Sequence, residues 1–328
     1  MTALDAQPRV TLGHWPTPLE PADRLRAIQG GPRVWLKRDD CSGLAFGGNK
    51  TRKLEFLLGR ALADEATGVV TFGALQSNHC RQAAAACNRV GLPCHLILTT
   101  AVDRDDAHYT GSGNRMLDDV LGATVHVVAD NDAALTRCGE LLAGDPALAV
   151  IGPGGSDATG TLGYVAAARE LADQLHAEGV VPTEVVVAAS TGGTAAGLLL
   201  GLALAGMPTP VRAVAVYADG ATTSGVVDHL VTETAALLGV DPPSPELLRV
   251  DDSGLGDGYG IETAASHGAI DVLARAEGVL LDPVYTAKAF AALLADPGAA
   301  DDDVVFVHTG GQPGLFAYAA AFAVDGDT

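Results

Sequence analysis

The feature that most constrains this fold is a regular alternation of short apolar runs with stretches of helical periodicity. Apolar residues recur at i, i+3, i+4 and i+7 in 162–175 and 264–276, which predicts helices there. The apolar runs predict strands at 34–37, 68–72, 94–98, 124–129, 148–151, 184–189, 211–217, 279–281 and 303–308. This alternation predicts an α/β protein whose parallel sheet carries helices on both faces.

Glycine-rich turns follow several of the predicted strands and open helices, at 73–77, 152–156, 190–194 and 309–314. Ligands of open α/β sheets bind outside the carboxyl ends of the strands, so these turns predict the position of a binding site. The polar residues at the tips of the turns favour a ligand with an anionic end.

Charge and cysteine content argue against several classes of protein. The 328 residues carry 40 acidic and 20 basic side chains, and the net charge of −20 argues against a nucleic-acid partner. The longest apolar run, 195–207, is shorter than the ~20 residues that cross a membrane, and residues 1–18 lack a signal-peptide pattern. The five cysteines lack zinc-ligand spacing, which predicts reduced cysteines, no metal site and a cytoplasmic protein.

Lysine is scarce, and one of the four lysines lies in an unusual place. Lys50 follows Phe46-Gly47-Gly48-Asn49 and precedes a helix predicted to begin near Thr51, where backbone amides and a positive helix end lower the pKa of an amine. Lys50 is therefore either a nucleophile or a helix-entry lysine that contacts phosphate or solvent. Lys37 is interpreted as ion-paired or solvated, and Lys53 and Lys288 as exposed helix residues.

Two of the glycine-rich turns contain polar groups suited to an anionic ligand. Ser190-Thr191-Gly192-Gly193-Thr194 offers consecutive N–H groups and hydroxyls for a phosphate, without a Walker or dinucleotide motif. The alternative is an ordinary helix cap. Gln76-Ser77-Asn78-His79 offers a hydroxyl, an amide and an imidazole to a carboxylate or a phenolate oxygen, unless Ser77 is only a helix cap and His79 only structural.

Several motifs together resemble one family of pyridoxal-phosphate (PLP) enzymes. The lysine motif comprises Leu36-Lys37-Arg38-Asp39-Asp40 and Gly47-Gly48-Asn49-Lys50-Thr51-Arg52-Lys53-Leu54-Glu55-Phe56. The similarity continues through Gln76-Ser77-Asn78-His79, Gly258-Tyr259-Gly260, Leu281-Asp282-Pro283-Val284-Tyr285-Thr286 and His308-Thr309-Gly310-Gly311. The chain is thereby identified as similar to the D-cysteine desulfhydrases, L-cysteate sulfo-lyases and 1-aminocyclopropane-1-carboxylate (ACC) deaminases from Thr17 onward.

The resemblance implies roles for individual residues. Lys50 would carry PLP and then act as the acid–base group. Asn78 would bind the phenolate oxygen of the cofactor, and Thr309 would also contact the cofactor. The cofactor phosphate would be held by the phosphate loop, which comprises Ser190, Thr191, Gly192, Gly193 and Thr194. The residues implied to contact an amino-acid substrate are Gln76, Ser77, Asn78, His79, Tyr259 and Tyr285. Of these, Ser77, Tyr259 and Tyr285 join Lys50 as implied catalytic residues.

The same resemblance implies the reaction and leaves alternatives. His79, Thr286 and Thr309 match desulfhydrases and sulfo-lyases rather than ACC deaminases, so the expected reaction is β-elimination from D-cysteine to pyruvate, sulfide and ammonia. The nearest alternative is elimination of sulfite from L-cysteate, for which Arg104 or Arg115 would supply a cation. ACC deamination is less favoured, and a PLP- or amino-acid-binding protein without turnover is the alternative from another class.

The resemblance also implies a fold and an assembly. It implies a fold type II PLP enzyme, similar to the tryptophan synthase β-subunit, with two open parallel-sheet α/β domains and the cofactor between them. The expected large domain comprises 1–48 and 159–328, and the expected small domain 49–158. A homodimer is implied as well. The sequence departs from the family pattern in the phosphate loop and at Ile261-Glu262-Thr263, where relatives carry proline.

Overall fold

A computed structural model describes residues 2–322, which form two sheets surrounded by helices. The strands are β1 (Leu19–Pro21), β2 (Arg33–Arg38), β3 (Gly68–Ala74), β4 (Cys94–Thr99), β5 (Thr124–Val128), β6 (Leu148–Ile151), β7 (Glu184–Ala189), β8 (Val211–Ala215), β9 (Leu248–Asp251) and β10 (Asp303–His308). The helices are α1 (Asp23–Gln29), α2 (Lys50–Ala63), α3 (Asn78–Val90), α4 (Ala107–Gly111), α5 (Gly113–Val120), α6 (Asn131–Gly144), α7 (Ala158–Glu178), α8 (Gly193–Leu204), α9 (Gly220–Leu238), α10 (Ala264–Glu277), α11 (Thr286–Ala295) and α12 (Gly314–Ala317).

The larger sheet has six strands in the order β1-β2-β10-β7-β8-β9, and only β1 at its edge is antiparallel. Its valine-rich central strands are buried on both faces, as expected of a parallel sheet. On one face they pack against α7, α8 and α9, and on the other against α1, α10 and α11.

The smaller sheet has four parallel strands in the order β5-β4-β3-β6. One face packs on α2 and α3 through side chains such as Leu54, Leu58 and Ala83. The other packs on α6 through Val70, Ile97 and neighbouring residues. The two sheets confirm the α/β class with two parallel sheets. The domain boundaries 49–158 and 1–48 with 159–328 stay a prediction.

One predicted strand was wrong, and two strands were not predicted. Residues 279–281 form an extended connection after α10 rather than a strand. The neighbouring β10 already pairs with β2 and β7 on its two sides, so no free strand edge remains for this segment. The edge strands β1 and β9 were missed because they are only three and four residues long and carry charged or proline residues.

A buried ion network attaches the start of the chain to α2 and α7. The Arg52 guanidinium donates to both carboxylate oxygens of Asp39 at 2.8 Å and to Glu170 at 2.9 and 3.0 Å. Lys37 pairs with Glu170 and donates to the carbonyl oxygen of Thr17 at 2.9 Å. Lys37 is thus ion-paired, which was one of the two interpretations that the sequence left open.

Three further features of the described residues bear on protein class. No helix among residues 2–322 has the length and apolar character needed to cross a membrane. Within the same range, no cluster of three or more His, Cys, Asp or Glu side chains is arranged to hold a metal ion. The five cysteines are free thiols, with Cys41 exposed and the others buried.

Candidate active site

A cavity of about 810 Å³ opens where the carboxyl ends of β3, β7 and β10 meet the start of α2. This is the edge at which parallel α/β proteins bind ligands. The cavity is lined by most of the residues predicted from the sequence: Lys50, Ser77, Asn78, His79, Ser190, Thr191, Gly192, Thr194, Tyr259, Tyr285 and Thr309. Segments from distant parts of the chain therefore converge on one site.

Lys50 is the first residue of α2 and faces this cavity. Its Nζ donates to Oδ1 of Asn49 at 2.9 Å, and Nδ2 of Asn49 donates to Oγ1 of Thr194 at 3.0 Å. Burial lowers the pKa of Lys50 to about 8, because Asp282 only partly offsets the cost of the buried charge. No carboxylate among the described residues forms an ion pair with this amine, so a substantial neutral fraction exists near pH 8.

The turn before Lys50 requires glycine. Gly47 and Gly48 adopt φ of 66° and 127°, and a Cβ at Gly47 would lie 2.0 Å from the carbonyl oxygen of Asp40. The turn therefore runs directly against the chain that follows β2. Helix α2 is fixed on its other side by α7, where a Cβ at Gly163 would lie 2.4 Å from the backbone of Arg52. These close approaches fix the position of the backbone from which the Lys50 side chain extends.

The turn after β7 forms an anion cradle at the start of α8. Gly192 caps the helix with φ of 76°, and the N–H of Gly193 donates to the Thr191 carbonyl oxygen at 3.0 Å, so the N–H groups that follow Gly193 are the ones left for an anion. Oγ of Ser156 and Oγ1 of Thr191 lie 2.7 Å apart beside it. The cradle combines amides, hydroxyls and a helix N-terminus, the set that suits a phosphate.

Lys53 completes this cradle, contrary to the prediction that it is exposed. It is buried one turn after Lys50 on the same face of α2, and its Nζ donates to Oγ of Ser156 at 2.8 Å and to the Gly154 carbonyl at 3.2 Å. Burial and the nearby Lys50 hold its pKa well below the usual range. The i, i+3 spacing from Lys50 was the signal in the sequence that could have revealed it.

Ser77 and Asn78 begin α3 at the opposite wall of the cavity. Oγ of Ser77 accepts from the N–H of Cys80 at 3.2 Å, so its own hydrogen is available to a ligand. Oδ1 of Asn78 accepts from Nδ2 of Asn114 at 3.0 Å, which leaves the Asn78 amino group as a donor toward the cavity. Both interpretations of Ser77 apply, because it caps the helix and faces the site.

Gln76 lies outside the cavity lining and supports Asn78 instead. Its Nε2 donates to the carbonyl oxygens of Tyr109 and Ser112, at 2.5 and 3.0 Å, and its Oε1 accepts from the N–H of Asn114 at 2.9 Å. The amide is thus fully used within the protein. The direct substrate contact predicted for Gln76 finds no support in this geometry, which indicates an indirect role through Asn114.

His79 faces the cavity as a neutral ring. Thr71 donates its hydroxyl hydrogen to the carbonyl oxygen of Ile151 at 2.8 Å, so Oγ1 of Thr71 accepts from Nε2–H of His79 at 2.8 Å. This assigns the proton to Nε2 and leaves Nδ1 as a buried acceptor without a partner. Burial, together with Lys50 and Lys53, lowers the pKa of His79 to about 3. In this state His79 cannot donate to the carboxylate for which it was predicted.

Tyr259 and Tyr285 form the third wall, and their hydroxyls are hydrogen-bonded to each other. Burial raises the pKa of Tyr259 to about 12 and that of Tyr285 well above its ordinary value, so both remain protonated donors. Asp282 was missed from the sequence. Its buried carboxylate accepts from the N–H of Tyr285 at 2.9 Å and from the Thr286 hydroxyl at 2.6 Å, which fixes the start of α11.

The two arginines considered for a sulfonate lie elsewhere. Arg104 donates to both oxygens of Glu262 at 2.9 and 2.7 Å, and Arg115 pairs with Asp119 at 2.7 Å. Neither lines the cavity. The cationic side chains that line it among the described residues are Lys50 and Lys53. One amine and one phosphate cradle with its own lysine fit PLP, the group that the sequence predicts.

Comparison with known proteins agrees with the fold and with a PLP-dependent enzyme. Residues 10–310 match the family described as "Pyridoxal-phosphate dependent enzyme", and the chain belongs to this family of PLP-dependent enzymes. A protein of Yersinia enterocolitica named D-cysteine desulfhydrase is 40% identical over 319 residues, which cover 95% of this chain and 96% of that protein.

Solved structures extend the comparison. The crystal structure of a protein described as an ACC deaminase homologue superposes with a TM-score of 0.87 at 37% identity, covering 97% of this chain and 96% of the other. The serine racemase of maize superposes with a TM-score of 0.66 at 18% identity, covering 93% and 92% of the two chains, which shows the shared fold alone. The chain is a fold type II PLP enzyme.

Proposed function

We propose that this protein is a carbon–sulfur lyase that eliminates H₂S from D-cysteine and forms pyruvate and ammonia. The observation that carries the proposal is the unpaired Lys50 amine, placed between an anion cradle and two protonated tyrosines. The name and 40% identity of the Yersinia enterocolitica relative support the same substrate. We also propose that the protein is cytoplasmic and forms a homodimer, as the family resemblance implies.

Bound PLP would supply an electron sink that weakens the bonds at the substrate Cα. Its phosphate would be held by the N–H groups that follow Gly193, by the hydroxyls of Thr191 and Thr194, and by Lys53. The Asn78 amino group is placed to donate to the phenolate oxygen, and Ser77 to donate to the substrate carboxylate. These contacts orient the reacting Cα–H bond toward Lys50, whose neutral amine removes the proton.

The tyrosine pair acts on the leaving group. As the Cβ–S bond breaks, its electron pair departs with sulfur as HS⁻, and the Tyr259 hydroxyl donates a proton to give H₂S. Tyr285 hydrogen-bonds to the phenolate that remains until it is reprotonated. The proton that Lys50 takes from Cα balances the one that the tyrosine gives. The released 2-aminoacrylate reacts with water to give pyruvate and ammonia.

The charges around the cavity favour sulfide over sulfite as the leaving group. An L-cysteate sulfonate adds a negative charge, and Lys50 and Lys53 are already assigned to the Cα proton and to the phosphate. Arg104 and Arg115 are each paired with a carboxylate outside the cavity. ACC deamination is the second candidate, because an ACC deaminase homologue superposes closely. Thr309, which lines the cavity, and Thr286, bonded to Asp282, favour elimination instead.

The test is a substrate panel with PLP-loaded protein. D-cysteine, L-cysteine, L-cysteate and ACC are supplied separately, and sulfide, sulfite and 2-oxo acids are measured. The proposal predicts sulfide and pyruvate from D-cysteine. Release of sulfite from L-cysteate would show that L-cysteate, and not D-cysteine, is the substrate. Formation of 2-oxobutyrate from ACC would overturn the argument from Thr286 and Thr309. Spectral changes without any product would favour a binding protein.

A further inference from the structure

The segment that carries Tyr259 is an irregular loop between β9 and α10. Tyr259 and Ile261 both line the cavity from this segment, and we define residues 258–262 as the Tyr259 strap. The strap contains no regular backbone ladder that would fix the tyrosine hydroxyl. Its position therefore depends on contacts made by other parts of the molecule.

Side chains from two helical segments hold the backbone of the strap. The buried Lys288 ammonium of α11 donates to the carbonyl oxygens of Leu255 and Gly258, at 2.9 and 3.1 Å. The Tyr318 hydroxyl donates to the carbonyl oxygen of Gly260 at 2.6 Å. Lys288 is thus a buried anchor, and the prediction that it is exposed was wrong. Carbonyls on both sides of Tyr259 are fixed by these donors.

The other support comes from the loop that follows β4 in the smaller sheet. A Cβ at Gly260 would lie 2.8 Å from Cγ1 of Val102, so the strap packs directly on this loop. Two residues further on, Arg104 donates from Nη1 to both carboxylate oxygens of Glu262. The Arg104 guanidinium also lies 4.4 Å from the centre of the Tyr318 ring. Arg104 therefore contacts the strap directly and one of its anchors.

The Arg104–Glu262 pair lies outside the cavity lining and joins the loop after β4 of the smaller sheet to the loop after β9 of the larger sheet. Both side chains are largely shielded, with 16% and 18% of their surface exposed. Both carboxylate oxygens of Glu262 accept from the one Nη1 group, and such a contact between shielded ions restrains the two side chains more strongly than a surface pair does. The pair therefore restrains the strap from the side of the smaller sheet.

We propose that Arg104 and Glu262 are positioning residues that hold the Tyr259 strap so that the tyrosine hydroxyl reaches the departing sulfur. This inference rests on the proposed function. A displacement of about 1 Å at a reacting group can reduce turnover by up to ~100-fold, so loss of the pair has a measurable kinetic effect. Because the restraint acts on the proton donor, the effect falls on kcat for leaving groups that take up a proton.

The kinetic test compares two substrates in Arg104→Gln and Glu262→Gln. For D-cysteine we expect kcat to fall ~10-fold with KM nearly unchanged, since the misplaced donor affects the chemical step. For β-chloro-D-alanine, whose chloride leaves without a proton, we expect little change. The charge-swapped variant Arg104→Glu with Glu262→Arg recovers part of the loss. Arg60→Gln removes an exposed ion pair on α2 and is the matched control. Equal losses for both substrates would overturn the positioning role.

Amide hydrogen exchange tests the same inference without turnover. Peptides that cover residues 255–263 should exchange faster in Arg104→Gln and in Glu262→Gln than in the unaltered protein, whereas Arg60→Gln should leave them unchanged. If the unaltered protein does not turn over D-cysteine, the proposed function fails while this measurement still decides the inference. Unchanged exchange in both variants would overturn it whatever the substrate.

Discussion

Cationic side chains on two neighbouring faces of helix α2 have opposite surroundings, although Arg52 and Lys53 are both buried and Lys50 is partly buried at the cavity. Arg52 is buried between Asp39 and Glu170, to which it donates through both arms of its guanidinium. Lys50 and Lys53 lie on the neighbouring face and contact amide, hydroxyl and carbonyl oxygens, and neither forms an ion pair with a carboxylate of residues 2–322.

This difference in surroundings explains why Arg52 stabilises the fold whereas Lys50 is chemically reactive. Although burial alone would raise it, Arg52 holds the pKa of Asp39 below its usual range, so these charges persist and fix the fold. Burial without a carboxylate partner lowers the pKa of Lys50 to about 8, so this amine is partly neutral and reactive. Helix α2 thus carries an ion-paired residue, Arg52, only two positions from Lys50, an amine that forms no ion pair within the described part of the chain.

The largest expected effect comes from removing the reactive amine. Lys50→Ala should lower turnover of D-cysteine by at least ~1,000-fold, because it removes both the cofactor-bearing group and the base. The free energy of unfolding of Lys50→Ala should stay close to that of the unaltered protein or rise, because the amine that is lost forms no ion pair with a carboxylate of the described residues. Steady-state kinetics and urea unfolding measure the two quantities, and a large loss of stability would contradict the comparison.

Breaking the paired network should have the opposite pattern. Arg52→Ala leaves Asp39 buried without its partner, and the free energy of unfolding should fall by ~3–5 kcal/mol. Arg52→Lys keeps the positive charge but loses the paired hydrogen bonds of the guanidinium, so this variant should fold and lose less of the free energy of unfolding than Arg52→Ala. Urea unfolding of both variants checks this order. A fall in activity at unchanged stability would show that the network belongs to the site rather than to the fold.

Lys53 tests whether the two lysines without an ion pair among residues 2–322, Lys50 and Lys53, have different roles. Lys53→Met should weaken binding of PLP by ~10- to 100-fold, because one hydrogen bond to the ionised phosphate is lost. Pyridoxal, which has no phosphate, should bind the variant and the unaltered protein alike. Titration followed by absorbance measures both affinities. An equal loss for pyridoxal would place Lys53 away from the phosphate.

The smallest effect concerns pH and stability in the cofactor-free protein. Lys50 has a pKa of about 8 when folded and 10.5 when unfolded, so between these values the unfolded chain binds more protons. Its contribution to the free energy of unfolding therefore rises with pH across this window. Lys50→Met should show a smaller rise than the unaltered protein between about pH 8 and about pH 10 in urea unfolding. Identical slopes would mean that the Lys50 pKa is not lowered.

The sequence predicted the sheets and the converging turns because both follow from local patterns. Strand–helix alternation is visible in single segments, and Ser190 to Thr194 and Gln76 to His79 directly follow predicted strands. The strand at 279–281 was wrong because apolar character does not reveal whether a neighbouring strand has a free edge. The edge strand β9 was missed because it is only four residues long and two of them are charged.

The side-chain environment could not be obtained in this way. Lys53 and Lys288 were expected to be exposed because most lysines are, and only the tertiary contacts with Ser156 and with the Tyr259 strap explain their burial. The roles of Gln76 and His79 depend on which atoms already have partners, which a sequence does not contain. Arg104 was considered as a ligand for a sulfonate and instead pairs with Glu262.

The central claim is that Lys50, and not its buried neighbour Lys53, carries the cofactor. Borohydride reduction of the PLP-loaded protein fixes the cofactor on the lysine that holds it, and peptide mass analysis then locates the label. The account predicts a phosphopyridoxyl group on Lys50 in the unaltered protein and no label on Lys53, including in Lys50→Ala. A label on Lys53, or undiminished labelling in Lys50→Ala, would contradict it.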